Sequence, residues 1–269
     1  MRKSVPFDSA EACQSIIYRL EETTGKPIEE ILSYGIDEER LERSRRVTRI
    51  EKELGIPLPY LTGRAYFLDL ELHVGPGVFI PRPETEVLVL AVLDHFREDK
   101  PRNILDVGTG TGALAIYLAR RFEKSVVTAV DISAVALRYA EVNARKYRLS
   151  RVRFVLSDVF SALPANQKFD LIVSNPPYIP RKELEKADQP LSWEPRLALD
   201  GGTDGLSVIR KILKGLDARL SPGGSLFLEI FPLIARSLRE LLSSGKYELA
   251  YYRDLDGRIR VARIRRRYL

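Results

Sequence analysis

The run Asn103-Ile104-Leu105-Asp106-Val107-Gly108-Thr109-Gly110-Thr111-Gly112 decides the fold. Its first five residues read as a strand, its last five alternate glycine with threonine, and a helical run opens at Ala113. Glycine lets a backbone turn tightly and come within contact distance of a ligand, which a Cβ would block. The spacing Gly108-x-Gly110-x-x-Ala113 satisfies the alanine form of the dinucleotide-type fingerprint. A following strand, Val126–Val130, leads into Asp131, 23 residues after Gly108. A carboxylate at that place can accept hydrogen bonds from both ribose hydroxyls of an adenosine. A nucleoside-bearing cofactor is therefore expected at Gly108, Thr109, Gly110, Thr111, Gly112 and Asp131. The loop does not by itself choose between NAD and S-adenosylmethionine.

Outward from this unit the chain alternates strand and helix. Further strands are expected at Arg153–Leu156, Leu171–Ser174, Ser225–Ile230, Tyr247–Arg253 and Arg258–Arg265. Helices are expected at Thr85–Phe96, Gly112–Phe122, Ala134–Tyr147, Leu206–Leu220 and Pro232–Leu242. Several strands are apolar on both faces, as in a parallel sheet covered by helices. The last two are joined by Asp254-Leu255-Asp256-Gly257, which reads as an antiparallel hairpin. The expected fold class is α/β: a doubly wound, seven-stranded, Rossmann-like domain with an antiparallel edge over residues 85–269. Upstream, residues 1–55 read as a small domain of three helices, with capping signals at Asp8 and Asp37 and stops near Gly25, Gly35 and Gly55. Residues 56–84 are broken by prolines and glycines into two extended pieces, Ala65–Leu70 and Leu72–Val74, read as a linking β-hairpin.

Composition excludes several classes. The 269 residues are 45% hydrophobic, ample for a core without covalent staples. Cys13 is the single cysteine, so no disulfide framework or multi-cysteine metal site is possible. His73 and His95 are separated by 21 intervening residues, and no metal centre is expected. No GxSxG elbow supports a histidine-dependent triad. No apolar window reaches membrane-spanning length, and no apolar segment follows the basic start Met1-Arg2-Lys3, so a cytoplasmic location without a membrane partner is expected. The net charge of +6 mildly favours an anionic partner. Seven arginines fall between Arg253 and Arg267, and their alternation with Ile259, Val261 and Ile264 reads as one face of a strand.

Two further strand ends carry chemistry. Asp158 follows the third strand of the parallel set, where it can accept a hydrogen bond from an adenine amino group. The fourth ends in Ser174-Asn175-Pro176-Pro177-Tyr178. Consecutive prolines lack N–H groups, fix φ, and hold the preceding residue away from helix. The Asn175 side chain and the Pro176 carbonyl can thus stand as two rigid acceptors for a planar NH2 group, and Tyr178 can stack on a flat substrate. An amide nitrogen is a poor nucleophile. Holding both its N–H bonds in one plane aims its face at an electrophilic methyl group.

These motifs together resemble the amino-group methyltransferases that use S-adenosylmethionine. With Pro59-Tyr60-Leu61-Thr62-Gly63, Pro76-Gly77-Val78-Phe79-Ile80-Pro81-Arg82-Pro83-Glu84-Thr85-Glu86, Glu194–Gly202 and Asp254–Arg258, the chain is similar to the peptide-chain release factor glutamine N5-methyltransferases (the PrmC/HemK family) over about residues 56–265. The resemblance implies a class I methyltransferase fold and transfer of a methyl group to the glutamine of the Gly-Gly-Gln motif in class I release factors. S-adenosylmethionine is then the cofactor and S-adenosylhomocysteine its product, with no metal and no required contact to nucleic acid. It implies cofactor contacts at Gly108–Gly112, Asp131, Asp158, Val159 and Asn175. Catalysis falls to Asn175 and Pro176, and substrate contacts to Asn175, Pro176, Pro177, Tyr178 and Phe79. The N-terminal helices are implied to hold the protein substrate. Val159 departs from the aromatic residue often found there, which leaves Ile132 as a candidate to pack on the adenine. Rival readings are a methyltransferase acting on a ribosomal-protein glutamine or on an exocyclic amino group of a nucleic-acid base. A NAD-dependent oxidoreductase would leave Asn175–Tyr178 unexplained, and a non-catalytic RNA-binding module using the arginine strand would take up no cofactor.

Overall fold

The structure is a computed structural model that describes residues 56–186, 193–243 and 245–267. The three helices expected within residues 1–55 lie outside the described residues. The chain divides between Thr62 and Gly63, and the unit beginning at Gly63 holds everything discussed below except one short helix, α1 (Leu58–Thr62).

A two-stranded hairpin, β1 (Arg64–Phe67) and β2 (Leu70–His73), precedes α2 (Pro83–His95). The hairpin turns at Leu68–Asp69, earlier than the Glu71 at which its apolar pattern suggests a turn. Leu68 takes a left-handed φ of 51°, and its N–H donates to Glu86 of α2 at 2.9 Å, so a tertiary carboxylate holds the turn. The α/β layers follow as β3 (Asn103–Val107), α3 (Ala113–Arg121), β4 (Val126–Asp131), α4 (Ala134–Lys146), β5 (Val152–Leu156) and β6 (Phe169–Ser174). Two short helices, α5 (Arg181–Leu184) and α6 (Arg196–Leu199), lead to α7 (Ser207–Arg219), β7 (Leu220–Glu229), α8 (Ala235–Leu241), β8 (Tyr247–Arg253) and β9 (Ile259–Arg266). Proline-bounded turns at Pro180 and Pro195 hide α5 and α6 from periodicity, because each is a single turn.

The seven-stranded sheet has the order β5-β4-β3-β6-β7-β9-β8, parallel through β7 and antiparallel at β9 and β8. That is the expected doubly wound sheet with its antiparallel edge. Side chains alternate between two cores. Ile104, Leu171, Val173 and Phe227 pack with α2 and α3 on one face. Leu105, Ile172, Leu226 and Leu228 pack with α7 and α8 on the other. Arg260 and Arg263 of β9 both turn toward α2, in keeping with their reading as one face. Arg263 reaches His95 of α2 and Glu248, and Arg260 reaches Glu84 of α2 and Asp254, because the register with β8 shifts between Tyr252 and Arg253 and interrupts the alternation at Arg260. No described helix is long and apolar enough to cross a membrane.

Asn143 of α4 joins the hairpin to the glycine loop. It is fully buried, accepts from His73 N at 2.7 Å, and donates to His73 O at 3.0 Å and Thr111 O at 2.9 Å. Replacing it with leucine strands three backbone groups, each costing about 1–3 kcal/mol where water cannot reach. Asn143→Leu is expected to lose about 2–4 kcal/mol in urea unfolding; a loss indistinguishable from zero would show that this bridge contributes nothing.

Candidate active site

In an open parallel sheet, ligands bind beyond the strand C-termini where the winding reverses. Here the reversal lies between β3 and β6, whose register pairs Val107 with Ser174. The residues next in line, Gly108 and Asn175, therefore emerge side by side. Ser174 Oγ donates to Val107 O at 2.7 Å and locks the two ends together. Around them opens a cavity of about 350 Å³. Its walls include Gly108 through Thr111, Asp131, Ile132, Asp158, Val159, Asn175 through Tyr178 and Phe79. Every expected site residue except Gly112 is thus brought to one crevice.

The glycines have different tasks. A Cβ at Gly108 or Gly110 would meet nothing within 4 Å, and both have positive φ, so their backbone is open to close approach by a ligand. Gly112 does not line the cavity. A Cβ there would stand 3.0 Å from Ile116 and 3.2 Å from Ala140, so this glycine serves the packing of α3 on α4. The open backbone at Gly108 and Gly110, with Asp131 beside it, forms a cradle that fits an adenosine-bearing group.

Asp131 also buttresses the loop. Its Oδ2 accepts from Gly110 N at 2.9 Å and its Oδ1 from Ser133 N at 2.8 Å. Burial raises its pKa while these backbone donors oppose the shift. Each oxygen keeps a second lone pair for a ribose hydroxyl. Asp106 lies beneath the loop, wholly buried. Its Oδ2 accepts from Thr109 Oγ1 at 2.6 Å and Ala115 N at 3.2 Å, while Oδ1 has no partner. Burial pushes this carboxyl up to about 7. Asp158 is exposed and already engaged, its Oδ2 receiving Lys211 Nζ at 2.6 Å. Val159 is buried with a left-handed φ of 53°, costly for a β-branched residue, and Ile132 stands half exposed at the same wall.

The second loop is held from behind by groups that spacing did not reveal. Asn175 Nδ2 donates to Thr85 Oγ1 of α2 at 3.0 Å. The Tyr178 hydroxyl donates to Glu229 Oε1 at 3.1 Å, at the end of β7. The Tyr178 ring stacks on Phe231 with centroids 6.3 Å apart and planes at 10°, so one face is unavailable to a substrate. The segment after α6 packs on this loop through glycines. A Cβ at Gly205 would lie 2.4 Å from Tyr178 O, and one at Gly201 would lie 2.9 Å from Pro177 O. At the rim, the Arg82 guanidinium lies 5.1 Å from the Phe79 ring centre and pairs with buried Glu194, whose Oε2 also accepts from Ile80 N at 3.0 Å. Glu84 and Glu86, in the first turn of α2, do not line the cavity. They are spent on Arg260 and Leu68 N. His95 lies elsewhere, between Ser225 and Arg263, so a guanidinium occupies the place where a triad would need a carboxylate.

A glycine cradle and a rigid Asn-Pro-Pro-Tyr loop at the switch point of this sheet define a class I methyltransferase. Residues 69–190 match the family model of the methyltransferase small domain. A release factor glutamine methyltransferase of Rhodopirellula baltica is 38% identical over 233 residues, covering 84% of this chain and 78% of the relative. One of Thermosynechococcus vestitus is 43% identical over 208 residues, covering 75% and 72%. The ribosomal protein L11 methylase of Lactobacillus delbrueckii subsp. bulgaricus shares the fold at a TM-score of 0.54, with 23% identity over 73% of this chain and 84% of that one. The chain belongs to the release factor glutamine methyltransferase family.

The raised carboxyl of Asp106 has a thermodynamic consequence. A folded-state pKa of about 7 against an ordinary 3.8 means that the group favours the fold fully below pH 3.8 and that this contribution is lost as pH rises through 7. Glu229, also pushed up to about 7 from 4.5, acts in the same direction. Asp106→Asn, which cannot ionise, is expected to flatten the decline in melting temperature between pH 5 and pH 8.5. Parallel declines in variant and parent would contradict this.

Proposed function

We propose that this protein transfers a methyl group from S-adenosylmethionine to the side-chain amide nitrogen, N5, of the glutamine in the Gly-Gly-Gln motif of class I peptide-chain release factors. One observation carries the reading: the acceptors of Asn175 and Pro176 share a single crevice with the glycine cradle of Gly108 and Gly110. The family and its named relatives supply the substrate. When bound, the cofactor supplies an electrophilic methyl group on a sulfonium. Gly108 to Thr111 and Asp131 hold its adenosine half, and Ile132, Asp158 and Val159 form the wall on which the adenine rests.

Asn175 Oδ1 and the Pro176 carbonyl accept the two N–H bonds of the glutamine amide. They fix its plane and turn the nitrogen face toward the methyl group. Phe79 and Pro177 enclose the aliphatic part of the side chain, and Tyr178 closes the wall. The new N–C bond forms as the C–S bond breaks, leaving S-adenosylhomocysteine. The methylated nitrogen then carries a readily lost proton, so the residues need only hold acceptors and no strong base. Orientation of this kind is worth about 7–11 kcal/mol in favourable cases. No metal enters this scheme. Residues 1–55 are assigned to holding the release factor in the cytoplasm, residues 56–84 to linking the two parts, and residues 85–269 to the transfer.

Asn175→Ala is expected to keep cofactor affinity, read by calorimetry, and to lose at least about 100-fold in turnover, the scale of removing one preorganised polar contact. Mass spectrometry of a release factor incubated with enzyme and cofactor should find one added CH2 on the Gly-Gly-Gln glutamine. Label on RNA or on a ribosomal protein instead would overturn the assignment, and near-parental turnover by the variant would remove Asn175 from its role.

A further inference from the structure

An asparagine amide presents its oxygen or its NH2 group depending on what binds the other end. Asn175 can hold a substrate NH2 only if its oxygen faces the crevice. Its Nδ2 is bound to Thr85 Oγ1 at 3.0 Å, and no described group donates to its Oδ1. A threonine hydroxyl could equally donate its proton to the asparagine oxygen, which would reverse the amide. What decides between the two is where the single Thr85 proton goes.

Behind Thr85 stands Glu229, fully buried at the end of β7. The Thr85 hydroxyl faces this carboxylate and favours its charged form, as does the Tyr178 hydroxyl, bound to Oε1 at 3.1 Å; Oε2 is buried without a partner in bonding geometry. A Thr85 proton turned toward the unpartnered Oε2 would leave the Thr85 oxygen only as an acceptor, which only the NH2 end of Asn175 can meet. One buried carboxylate then governs both ends of the loop, Asn175 through Thr85 and Tyr178 directly.

We infer that Thr85 and Glu229 are positioning residues that orient the Asn175 amide oxygen-outward, and so make the site select an NH2 donor. The inference rests on the reading of Asn175 as a substrate acceptor. The other charged groups near the carboxylate are Glu84, which opposes its ionisation, and Arg260, which favours it. Burial outweighs them and pushes Glu229 up to about 7, so the arrangement titrates in an accessible range. Protonated Glu229 becomes a donor and no longer draws the Thr85 proton away.

The test uses the full-length enzyme with S-adenosylmethionine and a release factor. Thr85→Val keeps the shape and removes the hydroxyl. It is expected to lower kcat about 10-fold or more while KM for either substrate moves less than about 3-fold, and Thr85→Ser should restore most of kcat. The parent kcat should fall on the acid side of about pH 7, and Glu229→Gln should lack that limb. A second readout needs no turnover: the Asn175 Nδ2 protons, assigned by their loss in Asn175→Asp, should exchange slowly in the parent and rapidly in Thr85→Val. Parental kcat in Thr85→Val, or unchanged Nδ2 exchange, overturns the inference. A parent that leaves the release factor unmethylated while Thr85→Val still frees the Nδ2 protons overturns the proposed function and supports the orientation of Asn175.

Discussion

The site depends on one register. Val107 of β3 lies opposite Ser174 of β6, and the Ser174 hydroxyl caps the Val107 carbonyl at 2.7 Å. Parallel strands point their C-termini the same way, and successive residues advance by about 3.3 Å. A slip of one residue would carry the Asn-Pro-Pro-Tyr loop out of step with the glycine loop and turn its side chains to the opposite face. Register is firmly specified here because both faces of β3 and β6 are buried, with Ile104, Leu171 and Val173 in one core and Leu105 and Ile172 in the other. Packing of the apolar layers is therefore what aligns methyl donor and acceptor.

The two loops add rigidity by different means. Glycines open the first to a ligand, while Asp131 and Val130 tether its N–H groups to the end of β4. Prolines stiffen the second, and Thr85 and Glu229 hold it from the protein interior. Both loops rest on buried carboxyls, Asp106 and Glu229, whose desolvation leaves them near pH 7 with one unpartnered oxygen each. Such groups cost stability and persist where they orient something else.

Much of this was legible in the sequence. The glycine run and Asp131 follow a strand-loop-helix-strand pattern whose geometry is local, and consecutive prolines restrict the backbone wherever they occur. The alternation of strand and helix likewise gave the sheet, including its antiparallel edge. What stayed hidden is long-range. Thr85 and Glu229 lie 90 and 54 positions from Asn175, and no periodicity links them. Asn143 looked like an ordinary helix residue, although its place on the apolar face with Ala136, Ala140 and Ala144 was a readable sign of a buried polar bridge. Gly112 stood in the alternating glycine run and proved to serve helix packing. The β9 arginines were legible as one surface, although Arg260 and Arg263 are three positions apart: the register shift opposite Arg253 interrupts the strict alternation that would have separated them.

The crystal structure of the protein with sinefungin, whose amine stands in the place of the transferable methyl group, tests the central claim most directly. The expected density has the adenosine on Gly108, Gly110 and Asp131, with the amine beside Asn175 Oδ1 and the Pro176 carbonyl. An inhibitor bound with its amine remote from Asn175 and Tyr178 would contradict the pairing of donor and acceptor on which the whole reading stands.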